Sequence, residues 1–262
     1  MPNFSAKTIQ IFLPNGDPRG VRIAEITTRI VRVIELPRSL VSDFLKMPEA
    51  QQVGMYILIG DSENEDEPKI YIGQSGNVGD RISSHNKTKD FWNKALIAVS
   101  STNSLTQTHA LYLEWASIKA ASEAARYAIE NGNSGSQPYT PLPLQADCQE
   151  ILETIGTLIA TLGFPVFVPF ATHSNAANDS TIERFYCKAS GADGTGLYTE
   201  EGFVVLKGST GRAVAVPSFK GSSLQFRQKL IDSGVARIEG DLIVFQKDHL
   251  FNSPSMAAWR SA

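Results

Sequence analysis

The chain has 262 residues, 42% hydrophobic and 19% charged, which is the make-up of a globular protein long enough for two compact units. No apolar run approaches the ~18 residues of a membrane span, and MPNFSAKTIQ lacks the charged-then-apolar pattern of a secretory leader, so a cytoplasmic protein with no membrane partner is expected. The formal net charge of −3 disfavours indiscriminate attraction to nucleic acid, and any phosphate binding must come from locally gathered cations.

Lys7 to Leu13 alternates apolar and polar residues, 14–20 (PNGDPRG) is dense in turn formers, and Val21 to Leu36 alternates again. This predicts a β-hairpin with a long second arm. Ser39 is placed to cap a short helix to Met47, completing an N-terminal element over residues 1–50 that packs on, or precedes, the domain after it. Two short apolar runs come next, 53–60 (VGMYILIG) and 69–73 (KIYIG), joined by the acidic stretch 61–68 (DSENEDEP). They predict an antiparallel hairpin whose loop is solvated and points away from any nucleic-acid face. Residues 74–79 (QSGNVG) form a turn into a helix from Asp80, 91–101 (FWNKALIAVSS) predict a strand, and Leu105 to Ile129 predicts one long helix. On that helix Leu111, Trp115, Ile118 and Ser122 make a stripe of ordinary core type, with Glu114 beside it.

The Gly-, Ser- and Pro-rich residues 131–144 read as a linker that closes a domain at 51–145. Asp147 is placed to cap a helix to Leu162, FPVFVPF at 164–170 reads as an edge strand or docked extended piece, and 171–180 as a second linker, so 146–180 is helix plus linker. From residue 181 a C-terminal domain is expected, with strands at 184–189, 202–207 and 213–217, a helix over 222–233, a hairpin through Glu239-Gly240-Asp241 into Leu242–Phe245, and a capped final turn at Ser253. Cys148 and Cys187 share no metal-ligand spacing and are expected to be reduced thiols. The fold class is therefore α+β: a small antiparallel sheet with flanking helices, preceded by a β-hairpin element and followed by a mixed α/β domain.

The residues that carry chemistry are two strand tyrosines, Tyr56 and Tyr71, then Arg81 and His85 on one helical face, then Glu114 on the later helix. Cutting a phosphodiester requires a deprotonated water, neutralised non-bridging oxygens, a stabilised leaving oxygen and alignment. Arg81 suits a bidentate phosphate clamp that never loses its charge. Glu114 suits a Mg²⁺ or Mn²⁺ site of one carboxylate completed by water and substrate oxygens. Tyr56 or Tyr71, near a cation, is a candidate base, and His85 a rival base or relay. Arg81, His85, Lys87, Lys89 and Lys94 fall within fourteen positions, with Phe91 and Trp92 among them, and make a candidate phosphate-binding cluster.

The order Gly54-Met55-Tyr56, Tyr71-Ile72-Gly73, Arg81, His85, Glu114 resembles the GIY-YIG nuclease family over residues 53–133. The resemblance implies a metal-dependent endonuclease acting on nucleic acid, with DNA favoured and RNA possible as substrate. It assigns Tyr56 as general base, Tyr71 to positioning water and phosphate, Arg81 to the transition state, His85 to a His-or-Tyr position one turn later, and Glu114 to a single divalent metal. A final asparagine falls on Asn131 or Asn133, with Asn133 preferred, and Gly73 permits close backbone approach. Met55 stands where isoleucine is usual, and the hairpin loop is longer and more acidic than in compact members. A scaffold that binds nucleic acid or a partner without useful turnover is the alternative. The segment from Thr181, with its SGADGTGLYTEEGFVVLKGS core and FNSPSMAA ending, resembles a C-terminal domain of unknown function found after such modules and in restriction-associated proteins. That implies a recognition or partner module, in which Lys188, Lys207, Arg212, Lys220, Arg227 and Lys229 supply cations, Ser218 and Ser222 have no base partner, and no phosphate-cradling loop is present.

Overall fold

A computed structural model describes residues 6–60, 68–132, 135–170, 184–189, 192–213, 221–251, 253, 254 and 257. The chain is α+β and divides into two units, one reaching to Val168 and one from Pro169 onward.

In the first unit, period-two alternation builds a seven-stranded sheet from β1 (Ile9–Phe12), β2 (Arg22–Ile26), β3 (Val31–Pro37), β4 (Gly54–Gly60), β5 (Lys69–Ser75), β6 (Lys94–Ser100) and β7 (Ala128–Ile129). The strand order is β1-β2-β3-β6-β4-β5-β7. All pairings are antiparallel except β5 with β7, which is parallel. Alternation sends Met55, Ile57, Ile70, Ile72, Leu96 and Ala98 to one face, under α3 (Gln107–Ala124) and α4 (Leu142–Thr161). It sends Tyr56, Leu58, Tyr71, Ala95, Ile97 and Val99 to the other, under α1 (Val41–Phe44), α2 (Val78–Thr88) and a 3-10 turn at Pro48–Gln51. Each fully buried Ile, Leu or Val contributes about 1.5–3 kcal/mol relative to exposure, and every residue of β4 is buried. Of the catalytic candidates, Tyr56 thus hangs from the most deeply packed strand.

Several elements differ from the sequence reading. The long second arm breaks after Ile26 into a hairpin, with the Arg29 N–H donating to Ile26 O at 2.8 Å; Thr27-Thr28 makes the turn without the Gly or Pro that would have announced it. The expected N-terminal element is not a separate body: β3 pairs with β6 along all seven of its residues, so residues 31–37 lie within the main sheet. Ser39 caps nothing; it sits inside a 3-10 turn, and α1 starts from Leu40 with no side-chain cap. α3 stops at Ala125, whose φ of 52° is left-handed, and the chain then runs back to pair Ala128–Ile129 with β5. α4 begins at Leu142, because Pro143 in the first turn gives up only an N–H that has no intrahelical acceptor. Residues 164–168 make no strand; Val166 and Val168 donate to Phe164 and Pro165 in tight turns, and Val166 is buried.

The second unit carries a four-stranded sheet, β14-β10-β9-β8, formed from β8 (Arg184–Ala189), β9 (Ala192–Thr199), β10 (Gly202–Val205) and β14 (His249–Phe251). A three-stranded sheet, β11-β13-β12, joins β11 (Thr210–Arg212), β12 (Ala236–Glu239) and β13 (Leu242–Phe245), and the unit includes the helix α5 (Gly221–Asp232). Phe203, Val205, Leu230, Ile243, Phe245 and Phe251 form its core. Arg227, expected among the cations, is buried there, and burial lowers its pKa. The strand expected at 213–217 lies outside the described residues beyond Ala213, as do Ser218, Lys220, the acidic loop and the second linker. Cys148 is a buried free thiol and Cys187 an exposed one. Among the described residues no helix is long and apolar enough to cross a membrane.

Candidate active site

Register places the first pair of groups. Tyr56 on β4 lies opposite Gly73 on β5, and its ring crosses the space a side chain there would fill: a Cβ on Gly73 would land on the phenol oxygen. Tyr71, two residues before Gly73 and on the same face, brings its ring centroid 6.4 Å from that of Tyr56. Both phenols therefore share the α2 side of the sheet.

Helix α2 supplies the second pair. Asn77 caps it, its side chain accepting from Asp80 N at 3.1 Å. Val78 and Ile82 pack into the sheet, and Arg81, His85 and Lys89 follow one another at four-residue spacing. Arg38 fixes the other end, donating to Asn86 O at 3.0 Å, Asp90 O at 2.9 Å and Trp92 O at 3.1 Å. His85 Nε2 comes to 2.8 Å from the Tyr56 hydroxyl, and Arg81 Nε donates to the same oxygen at 3.2 Å. The Lys89 ammonium stands 4.2 Å from the centre of the Tyr71 ring.

Burial sets the electrostatics. Tyr56 is fully buried, and desolvation drives its phenol well above the ordinary tyrosine range; the Arg81 hydrogen bond pulls the other way. Burial, reinforced by the positive charges of Arg81 and Lys89, lowers His85 to about 4, so its imidazole is neutral near pH 7. Its Nδ1 is buried without a hydrogen-bond partner. The contact with Tyr56 raises the pKa of the Arg81 guanidinium.

Glu114 arrives from the opposite face of the sheet, around the edge of β5. That edge is filled step by step. Ile70 O accepts from Glu130 N at 2.8 Å. Asn131 then acts like one more strand residue, its side-chain oxygen accepting from Ile72 N at 2.9 Å and its Nδ2 donating to Ile72 O at 2.7 Å. The next outward N–H, that of Gln74, meets the Glu114 carboxylate. Burial raises the Glu114 pKa, while Arg81 and the Gln74 N–H both favour its charged form. A half-buried carboxylate in that state accommodates a cation. It faces a cavity of about 380 Å³ shared with Tyr71 and Asn131, which has room for the waters a Mg²⁺ ion retains. Among the described residues no three His, Cys, Asp or Glu side chains gather, so any metal here would take Glu114 as its protein carboxylate.

The structure thus brings Tyr56, Tyr71, Arg81, His85, Glu114, Gly73 and Lys89 together. It leaves two expected cations elsewhere. Lys94 shares the opposite face of β6 with Leu96, and its ammonium bonds Glu35 at 2.9 Å, a buried acid also paired with Arg22. Lys87 is exposed, about 200° around α2 from His85. Asn133 lies outside the described residues, whereas Asn131 stands beside Tyr71. Sequence reasoning missed the setting of Met55: its thioether accepts from the buried Ser117 hydroxyl at 3.4 Å, a contact isoleucine has no atom to make. Trp115, read as core, does pack against the core and also lines the cavity beside Glu114.

Fold and geometry together define a two-unit α+β protein with a polar cluster at a sheet edge in its first unit. A family model described as a domain of unknown function (DUF4357) matches residues 185–260, within the second unit. No curated protein and no solved structure matches the chain.

Proposed function

We propose that the first unit is a GIY-YIG-type, metal-dependent endonuclease that hydrolyses phosphodiester bonds in nucleic acid, with DNA the favoured substrate. The supporting observation is the convergence of Arg81 Nε and His85 Nε2 on one phenol oxygen, at 3.2 and 2.8 Å, with Glu114 near enough to influence that phenol's pKa.

In this reading Tyr56 takes the proton from the attacking water. With His85 neutral and protonated on Nε2, two donors stabilise the phenolate that Tyr56 must become, which opposes the effect of its burial. Arg81 commits Nε to Tyr56 and also bonds Tyr71, and its remaining N–H groups, on an exposed residue, face the phosphate oxygens. Tyr71 and Lys89 flank the same space. Glu114 would hold the divalent ion, which when bound supplies Lewis-acid charge to the non-bridging and leaving oxygens. The matched domain over residues 185–260 serves as the recognition or partner module.

Arg81→Ala and Glu114→Ala should each abolish plasmid nicking in Mg²⁺ or Mn²⁺, a loss of at least about a hundredfold, without changing the circular dichroism spectrum. Cutting that depends on metal and survives both substitutions would remove this assignment. The second reading, a scaffold that binds nucleic acid or a partner without turnover, draws on the complete burial of Tyr56 and the net charge of −3. Nicking by the wild-type chain that EDTA stops would exclude it.

A further inference from the structure

Leu111, Trp115 and Ile118 stand at core spacing on α3, yet Leu111 is 39% exposed. All three line a cavity of about 380 Å³ together with Glu114 from the same helix, Tyr71 and Asn131. The charged part of that space is the Glu114 carboxylate, with Arg81 close enough to favour its ionised form, and a phosphate held there leaves the rest of the cavity free. The apolar part, lined by Leu111, Ile118 and the partly buried Trp115, matches a flat, weakly polar group attached to the phosphate. The Lys119 ammonium, on an exposed residue, lies 5.8 Å from the centre of the Trp115 ring and adds positive charge beside it.

We infer that this cavity receives an unpaired nucleobase from the nucleotide next to the scissile phosphate, stacked on Trp115; the inference rests on the nuclease reading of the same site. A base inside a duplex is stacked between its neighbours and turned away from its own backbone, so it cannot reach the indole while Glu114 and Arg81 hold its phosphate. A flap, bulge, loop or single strand presents the base freely. The substrate class is therefore nucleic acid with an unpaired base at the cut.

The test uses the full-length chain and oligonucleotides with 2-aminopurine scanned along one strand, either fully paired or carrying a flap, in DNA and RNA forms. Binding is read as fluorescence quenching in EDTA, and cutting is read separately in Mg²⁺. Quenching is expected at one unpaired position, kept in Trp115→Phe and lost in Trp115→Ala. Trp115→Ala should also slow flap cutting about fivefold to a hundredfold, the range for one lost base–aromatic stack. Equal cutting of paired and flapped substrates, with no quenching and no selective effect of Trp115→Ala, overturns the base site while the nuclease reading stands. Quenching that depends on Trp115 without any cutting supports the base site and removes the nuclease reading. Neither signal removes both. Thermal melting of Trp115→Phe and Trp115→Ala separates loss of stacking from loss of fold.

Discussion

Tyr56 and His85 meet at 2.8 Å, and both are buried. His85 is held neutral at about 4, against an ordinary value of 6.5, chiefly by burial. The unfolded chain therefore binds a proton at this residue below 6.5 that the native state refuses, and native stability falls as pH drops from about 6.5 towards about 4. The whole effect is at most about 3 kcal/mol. Urea unfolding at pH 7 and pH 4.5 should show wild type losing more stability than His85→Gln, and identical slopes would mean that His85 titrates normally in the folded protein. The positions of Tyr56, Tyr71, Arg81, His85 and Glu114 were legible in the sequence because their order along two strands and two helices is restrictive. Lys94 was not, since the face it takes on β6 depends on pairing with β4 and β3, and neither neighbour is visible in one strand's own alternation.

Elements divide in a similar way. β4, β5, α2 and β6 appear in the sequence within a few residues of their observed limits, because burial there enforces clear periodicity. The end of α3 was illegible: Ala125 is an ordinary helix former, and its left-handed turn is stabilised by the pairing of Ala128–Ile129 with the free side of β5. That same run delivers Asn131 to Ile72, a placement set by strand register rather than by residue type. Asn131→Leu removes both bonds to the Ile72 peptide. Amide exchange at Ile72 and Gln74 should quicken by at least about tenfold while β4 amides stay protected, a local opening of this edge. Unchanged protection at both amides would show that other groups hold β5 in place.

At the scale of the molecule, each unit has its own apolar core: two layers around the seven-stranded sheet in the first, and a cluster around Phe203, Phe245 and Phe251 in the second. Calorimetry is expected to resolve two unfolding transitions, and a substitution confined to one core, such as Ile57→Ala, should shift only one of them, by several degrees. A single transition that moves as a whole would mean that the units melt as one. The C-terminal pattern of turns and short strands was readable as a separate domain because its glycines and charges punctuate it regularly, while the continuity of residues 31–37 with the main sheet needed the partner strand β6 to be seen. The filled side of β5 carries a consequence of its own. Bare amides on a border strand are a template on which another chain can add itself. Here the side chains of Asn131 and Glu114 occupy such amides, so fewer are left bare on this side of β5 for another chain to pair with.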